Sequence, residues 1–87
     1  MKIQLLGTNC DKCTSLEANI KKAIDESGVK IQFIKIDDIK EIMDLGIDVT
    51  PALALNGVVK SSGKVLSVEE IKNLIIDETE VERIENL

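Results

Sequence analysis

The chain of 87 residues carries two cysteines and no histidine, and the cysteines stand three positions apart in Cys10-Asp11-Lys12-Cys13. Residues at i and i+3 of a helical turn face the same side, with β-carbons about 5–6 Å apart. A disulfide wants them nearer about 3.8 Å. A small adjustment in the first turn of a helix therefore brings both the dithiol and the disulfide within reach. The loop so closed is short, which makes the bond easy to form and a poor structural staple. Making and breaking it is the chemistry that suits the spacing. Two other uses stand beside it: core packing of two small side chains, and metal ligation. With no histidine and no further cysteine the ordinary four-ligand set of structural zinc is missing. Two thiolates do suffice for a soft ion such as Cu(I).

The flanking residues give the two sulfurs different surroundings. Lys2-Ile3-Gln4-Leu5-Leu6 reads as a short strand ended by Gly7. Asp11 to Ser27 reads as a helix, because Cys13, Leu16, Ile20, Ala23 and Ile24 recur at spacings of three and four. Unpaired N–H groups and the positive end of the dipole stabilise a thiolate at such a helix entrance, drawing a thiol below its free pKa of about 8.5. Cys10 lies at the entrance and is expected to be the attacking thiol. Cys13 lies on the inward stripe and is expected to be the shielded, resolving one. Lys12 favours the thiolate; Asp11 opposes it.

The remaining elements must hold that junction in place. Gly28 stands where a left-handed cap ends the helix. Val29 to Ile36, β-branched around Phe33, reads as a second strand buried on much of both faces. A helix between two strands makes them parallel, joined by a right-handed crossover. Asp38 and Glu41 form a capping-box pattern before a short helix lined by Ile39, Ile42 and Met43 and closed by Gly46. Pro51, the only proline, precedes Ala52-Leu53-Ala54-Leu55, and Asn56-Gly57 between that run and Val58-Val59-Lys60 signals a hairpin. Ser67 and Glu70 form a second capping box, opening a helix with Ile71, Leu74 and Ile75 inward. The predicted fold class is α/β, in the order β-α-β-α-β-β-α, with a four-stranded mixed sheet and helices on both faces.

Composition removes several functions. Of the net charge of −5, residues 77–87 hold −4 (Asp77, Glu78, Glu80, Glu82 and Glu85 against Arg83), leaving a nearly neutral body with no basic patch. Phe33 is the only aromatic. Nucleic acid thus finds neither a phosphate-binding surface nor a stacking platform. No apolar run approaches the roughly 20 residues that span a bilayer, and the N-terminus lacks the pattern of a signal peptide. A soluble, monomeric protein of the cytoplasm is expected, with no membrane partner. Residues 1–76 read as the domain and residues 77–87 as an acidic tail. The tail is expected as a frayed, solvated end, the other form being a helix extension with a thin stripe of Leu74, Val81, Ile84 and Leu87.

Val49-Thr50-Pro51 is the second constellation. With the cysteine pair after the first strand, it resembles the thioredoxin superfamily across residues 1–76. Gly7-Thr8, Cys10, Cys13, Thr50-Pro51-Ala52-Leu53, Asn56-Gly57 and Ser61-Ser62-Gly63-Lys64 are similar, in order and approximate spacing, to short redox-active disulfide proteins of glutaredoxin size. The resemblance implies a thioredoxin-like fold and a thiol–disulfide oxidoreductase with Cys10 and Cys13 as its catalytic pair. It also implies a cis peptide bond before Pro51 and a Thr50 backbone that pairs with an extended stretch of the partner, a strand-addition mode. Protein disulfides would be the substrates and a flavoprotein of thioredoxin-reductase type the electron donor, with no cofactor held by the chain itself. Two departures stand out. Asn9 occupies the place where thioredoxins carry tryptophan, and Ser61-Ser62-Gly63-Lys64 replaces the glycine pair and acidic residue with which many glutaredoxins hold glutathione. The segment from Gly7 to Cys13 also resembles heavy-metal-associated metallochaperone domains. Thr8 stands where those carry methionine, however, and the Asp38 to Leu45 segment separates the second strand from the third. A soft-metal-binding protein and a non-enzymatic interaction module are therefore the alternative functions.

Overall fold

The computed structural model describes residues 1–7, 11–47 and 49–85, with side chains described through residue 79. Its elements run β1 (Lys2–Leu6), α1 (Asp11–Ser27), β2 (Gln32–Ile36), α2 (Ile39–Asp44), β3 (Ala52–Leu55), β4 (Val58–Ser62) and α3 (Val68–Glu85). The sheet order is β2-β1-β3-β4. β1 and β2 are parallel, while β1 with β3 and β3 with β4 are antiparallel. This is the mixed sheet and the element order expected from the sequence.

Side-chain alternation along the central strands divides the core into two layers. Ile3 and Leu5 of β1 and Leu53 and Leu55 of β3 face one way, where they meet Leu16, Ile20 and Ala23 of α1 and Ile71 and Ile75 of α3. Leu6, Ala52 and Ala54 face the other way and meet Ile42 of α2 and Ile47. Covered on both sides, all four residues of β3 are buried, which is why that strand reads as an unbroken apolar run rather than an alternating one.

The local signals act where their chemistry requires. Asn56 and Gly57 take φ of 51° and 85°, the paired positive values of a tight two-residue hairpin turn. Asn56 also binds β1 twice: its N–H donates to the Lys2 carbonyl, and its Oδ1 accepts from the Lys2 N–H, each at 2.9 Å. Ser67 and Glu70 close the capping box, Glu70 N–H donating to Ser67 Oγ at 3.1 Å and Ser67 N–H to Glu70 Oε1 at 3.4 Å. Asp38 caps α2 by accepting from the Lys40 N–H at 2.9 Å.

Three expectations need correction. The second strand begins at Gln32 rather than Val29, because β1 begins at Lys2 and offers residues 29–31 no partner; Gln32 pairs with Lys2. It is also an edge strand, so Phe33, Ile34 and Ile36 are only half-buried. In α2 only Ile42 reaches the core, while Ile39 and Met43 are 62 % and 66 % exposed. A helix of six residues makes under two turns, and it seats one side chain over Ala52 and Ala54 instead of three. Finally, past Ile76 the chain takes the other form named above, a helix extension: α3 continues to Glu85. Residues 68–85 contain neither glycine nor proline to stop the helix. The Glu78 carboxylate, two residues past Ile76, accepts from Asn56 Nδ2 at 3.1 Å and ties this stretch to the hairpin turn.

Candidate functional site

Pairing of Leu6 with Ala52 sets the end of β1 beside the start of β3. Gly7 and Pro51, the next residue outward on each chain, are therefore neighbours at one end of the sheet. Gly7 is anchored by its N–H to the Ile36 carbonyl at 3.0 Å, and Pro51 is fully buried. α1 begins four residues after Gly7, so its first turn comes down on the same spot.

The third residue of α1 is Cys13, 3 % exposed, at the head of the buried stripe that continues through Leu16, Ile20 and Ala23. Its sulfur lies against Gly7. A β-carbon placed on Gly7 would stand 2.7 Å from Cys13 Sγ, and 3.6 Å and 3.7 Å from Cα and Cβ of Pro51. The absent side chain of Gly7 is thus the space that the sulfur occupies, and Pro51 forms its far wall. The Thr50–Pro51 peptide bond is cis. Thr50 itself is exposed, one residue from the buried proline.

A clasp from the end of β4 holds this loop on its other side. Ser62 Oγ donates to the Val49 carbonyl at 2.7 Å, and the Gly63 N–H donates to the Pro51 carbonyl at 2.8 Å. Gly63 has φ of 76°, and a β-carbon there would lie 2.7 Å from Cγ1 of Val49. Both its backbone and its surroundings call for glycine.

Of the four site residues expected from the sequence, Cys13, Thr50 and Pro51 are thus brought to one end of the sheet. Cys10, with Thr8 and Asn9, lies outside the described residues. Sequence reasoning did not assign site roles to Gly7, Ser62 or Gly63. A glycine at the end of a strand, three residues before a cysteine pair, was a usable signal for the first. The serine and glycine carry no local signal, since what they touch is 13 and 12 positions away. Among the described residues no group of three or more histidine, cysteine, aspartate or glutamate side chains could hold a metal ion. No helix among them is long and apolar enough to cross a membrane.

Comparison with known proteins agrees with this geometry. Residues 1–76 match a family model described as a thioredoxin domain. The chain is similar to a thioredoxin of Methanothermobacter thermautotrophicus, 41 % identical over 75 residues that cover 86 % of this chain and 97 % of that protein. It is likewise 41 % identical, over 70 residues and 80 % of each chain, to a thioredoxin of Methanocaldococcus jannaschii. Among solved structures it superposes on one described as the structure of a malarial protein, with a TM-score of 0.67 over 87 % of this chain and 93 % of that one. At 17 % identity that likeness concerns the fold alone.

Proposed function

Because the chain belongs to the thioredoxin family and is a thiol–disulfide oxidoreductase, we propose that Cys10 and Cys13 are its working dithiol, with Cys10 attacking and Cys13 resolving. The Cys10 thiolate attacks one sulfur of a partner's disulfide. A Cys10–partner bond forms, the partner's S–S bond breaks, and the first partner sulfur leaves as a thiolate that takes up a proton. Cys13 then gives up its proton and attacks the Cys10 sulfur, expelling the second partner thiolate. The second partner thiolate takes up a proton in its turn, so the partner has gained two electrons and two protons. The chain has lost the two electrons and the Cys13 proton in forming the Cys10–Cys13 bond, and the other proton, already absent from the Cys10 thiolate, comes from solvent. A flavoprotein of thioredoxin-reductase type returns the electrons. Thr50 and Pro51 bind the substrate: the exposed Thr50 backbone pairs with an extended partner segment beside the sulfurs. The chain works as a monomer in the cytoplasm, with residues 1–76 as the redox domain and no cofactor of its own.

The observation that carries this reading is the packing of Cys13 Sγ into the gap left by Gly7, walled by Pro51. A sulfur so shielded is suited to an intramolecular second step and poorly placed for a first attack on a bulky partner. Trapping tests it. Cys13→Ser should accumulate mixed disulfides through Cys10, visible as reducible high-mass adducts, whereas Cys10→Ser should form none. Equal trapping by both variants would overturn the assigned roles. Stoichiometric Cu(I) binding by a chain that never turns over a disulfide would favour the soft-metal alternative.

A further inference from the structure

The loop that carries Thr50 is held from one side by two hydrogen bonds that bracket it. The carbonyl before Thr50, of Val49, accepts from Ser62 Oγ at 2.7 Å, and the carbonyl after it, of Pro51, accepts from the Gly63 N–H at 2.8 Å. Among the described residues neither the N–H nor the C=O of Thr50 is used by the fold. The bracket fixes the backbone on both sides and leaves the residue between them exposed, its own hydrogen-bonding groups not committed to any described residue. The second of these bonds comes from main chain and survives most substitutions. The first comes from a side chain, and so depends on what occupies position 62.

From this we infer that Ser62 is a positioning residue for partner binding: its hydroxyl holds the Val49–Thr50 peptide in the orientation that receives a polypeptide partner. The inference rests on the proposed oxidoreductase reading and adds to it a determinant of substrate class. A protein disulfide needs both the sulfurs and the Thr50 backbone. A small disulfide needs only the sulfurs. Position 62 should therefore govern the first and leave the second alone. The neighbouring Ser61 provides an internal contrast, because its Oγ is buried and has no hydrogen-bond partner among the described residues. Adjacent hydroxyls thus differ in role, one holding the loop and one bonded to none of the described residues.

The experiment compares the full chain, reduced by dithiothreitol, with its Ser62→Ala, Ser62→Thr, Ser62→Val and Ser61→Ala variants. Each is assayed on insulin as a protein disulfide and on dithionitrobenzoate as a small one. Ser62→Ala and Ser62→Val are expected to raise KM for insulin by about three- to tenfold, the range that one net hydrogen bond corresponds to. Their kcat for insulin and their rate with dithionitrobenzoate should stay within about twofold of the parent, as expected for lost positioning and unchanged chemistry. Ser62→Thr keeps the hydroxyl and should restore the parent KM, although it matches valine in shape. Ser61→Ala should leave KM where it was. An unchanged KM in both Ser62→Ala and Ser62→Val overturns the inference, as does an equal loss on both substrates, which would mark a merely structural role. If the parent chain reduces neither substrate, the oxidoreductase reading itself falls, and this one with it.

Discussion

Replacing Gly7 with alanine tests whether the sulfur of Cys13 sits as tightly as the structure places it. The added methyl carbon would lie 2.7 Å from Cys13 Sγ, against the roughly 3.5–4.0 Å at which non-bonded carbon atoms pack best and to which the larger sulfur adds. About 1 Å must be found. The two Pro51 atoms, at 3.6 Å and 3.7 Å, are already in ordinary contact and offer no room on that side. Gly7 is not among the residues of positive φ, so alanine suffers no backbone penalty and the effect is one of volume alone. If the backbone moves, overpacking of this kind costs about 1–3 kcal/mol. For a domain of this size each kcal/mol lowers Tm by about 4–8 °C. If Cys13 moves instead, stability is spared, but a displacement near 1 Å can slow a positioned reaction by about a hundredfold. The resolving step would then lag, and mixed disulfides through Cys10 would persist. Urea unfolding reads the first outcome, and quenched-flow timing of the mixed disulfide reads the second. A double-mutant cycle isolates the contact. In a Cys13→Ala background the sulfur is gone, and Gly7→Ala should cost less than about 0.5 kcal/mol, the usual limit for a substitution with no such mechanism. A Gly7→Ala chain with parental stability and parental resolution rate would refute the close approach. So would a cost that is the same in both backgrounds.

Two further substitutions probe the frame around the site. Ser67→Ala removes the hydroxyl that accepts from the Glu70 N–H, and should lower stability by about 1 kcal/mol in denaturant titration without altering turnover; a change under a few tenths would mean that the capping box contributes little. Ser61→Ala should do the opposite. Its buried hydroxyl, without a partner among the described residues, lies in β4 opposite Leu53, and deleting an unsatisfied polar group is expected to raise stability by about 0.5–1 kcal/mol. A loss of that size would show that the hydroxyl has a partner after all.

Much of the frame is readable from the chain because its causes are local. The stripe of Cys13, Leu16, Ile20 and Ala23 specifies α1 through its own periodicity, and Asn56-Gly57 specifies its turn through backbone preferences that need no distant residue. The errors arise where local preference meets a global boundary. Val29 and Ile31 are strand-formers, yet they stay outside β2 because β1 is too short to pair with them. Ile39 and Met43 have apolar side chains at helical spacing, yet they stay exposed because the sheet face beneath α2 accommodates one residue. The acidic residues after Ile76 suggest solvation, yet an unbroken helical stretch carries α3 on to Glu85.

The sequence alone established the order of elements, Cys13 in the first turn of a helix and the proline at the start of a strand, since each is written in a handful of consecutive residues. Tertiary structure decided what those features touch. That Cys13 fills the space left by Gly7, that Pro51 walls it, and that Ser62 and Gly63 grip the residues on either side of Thr50 all follow from β3 lying between β1 and β4. Strand order is settled by the burial of two faces at once, a balance summed over the whole core that no short stretch of chain contains.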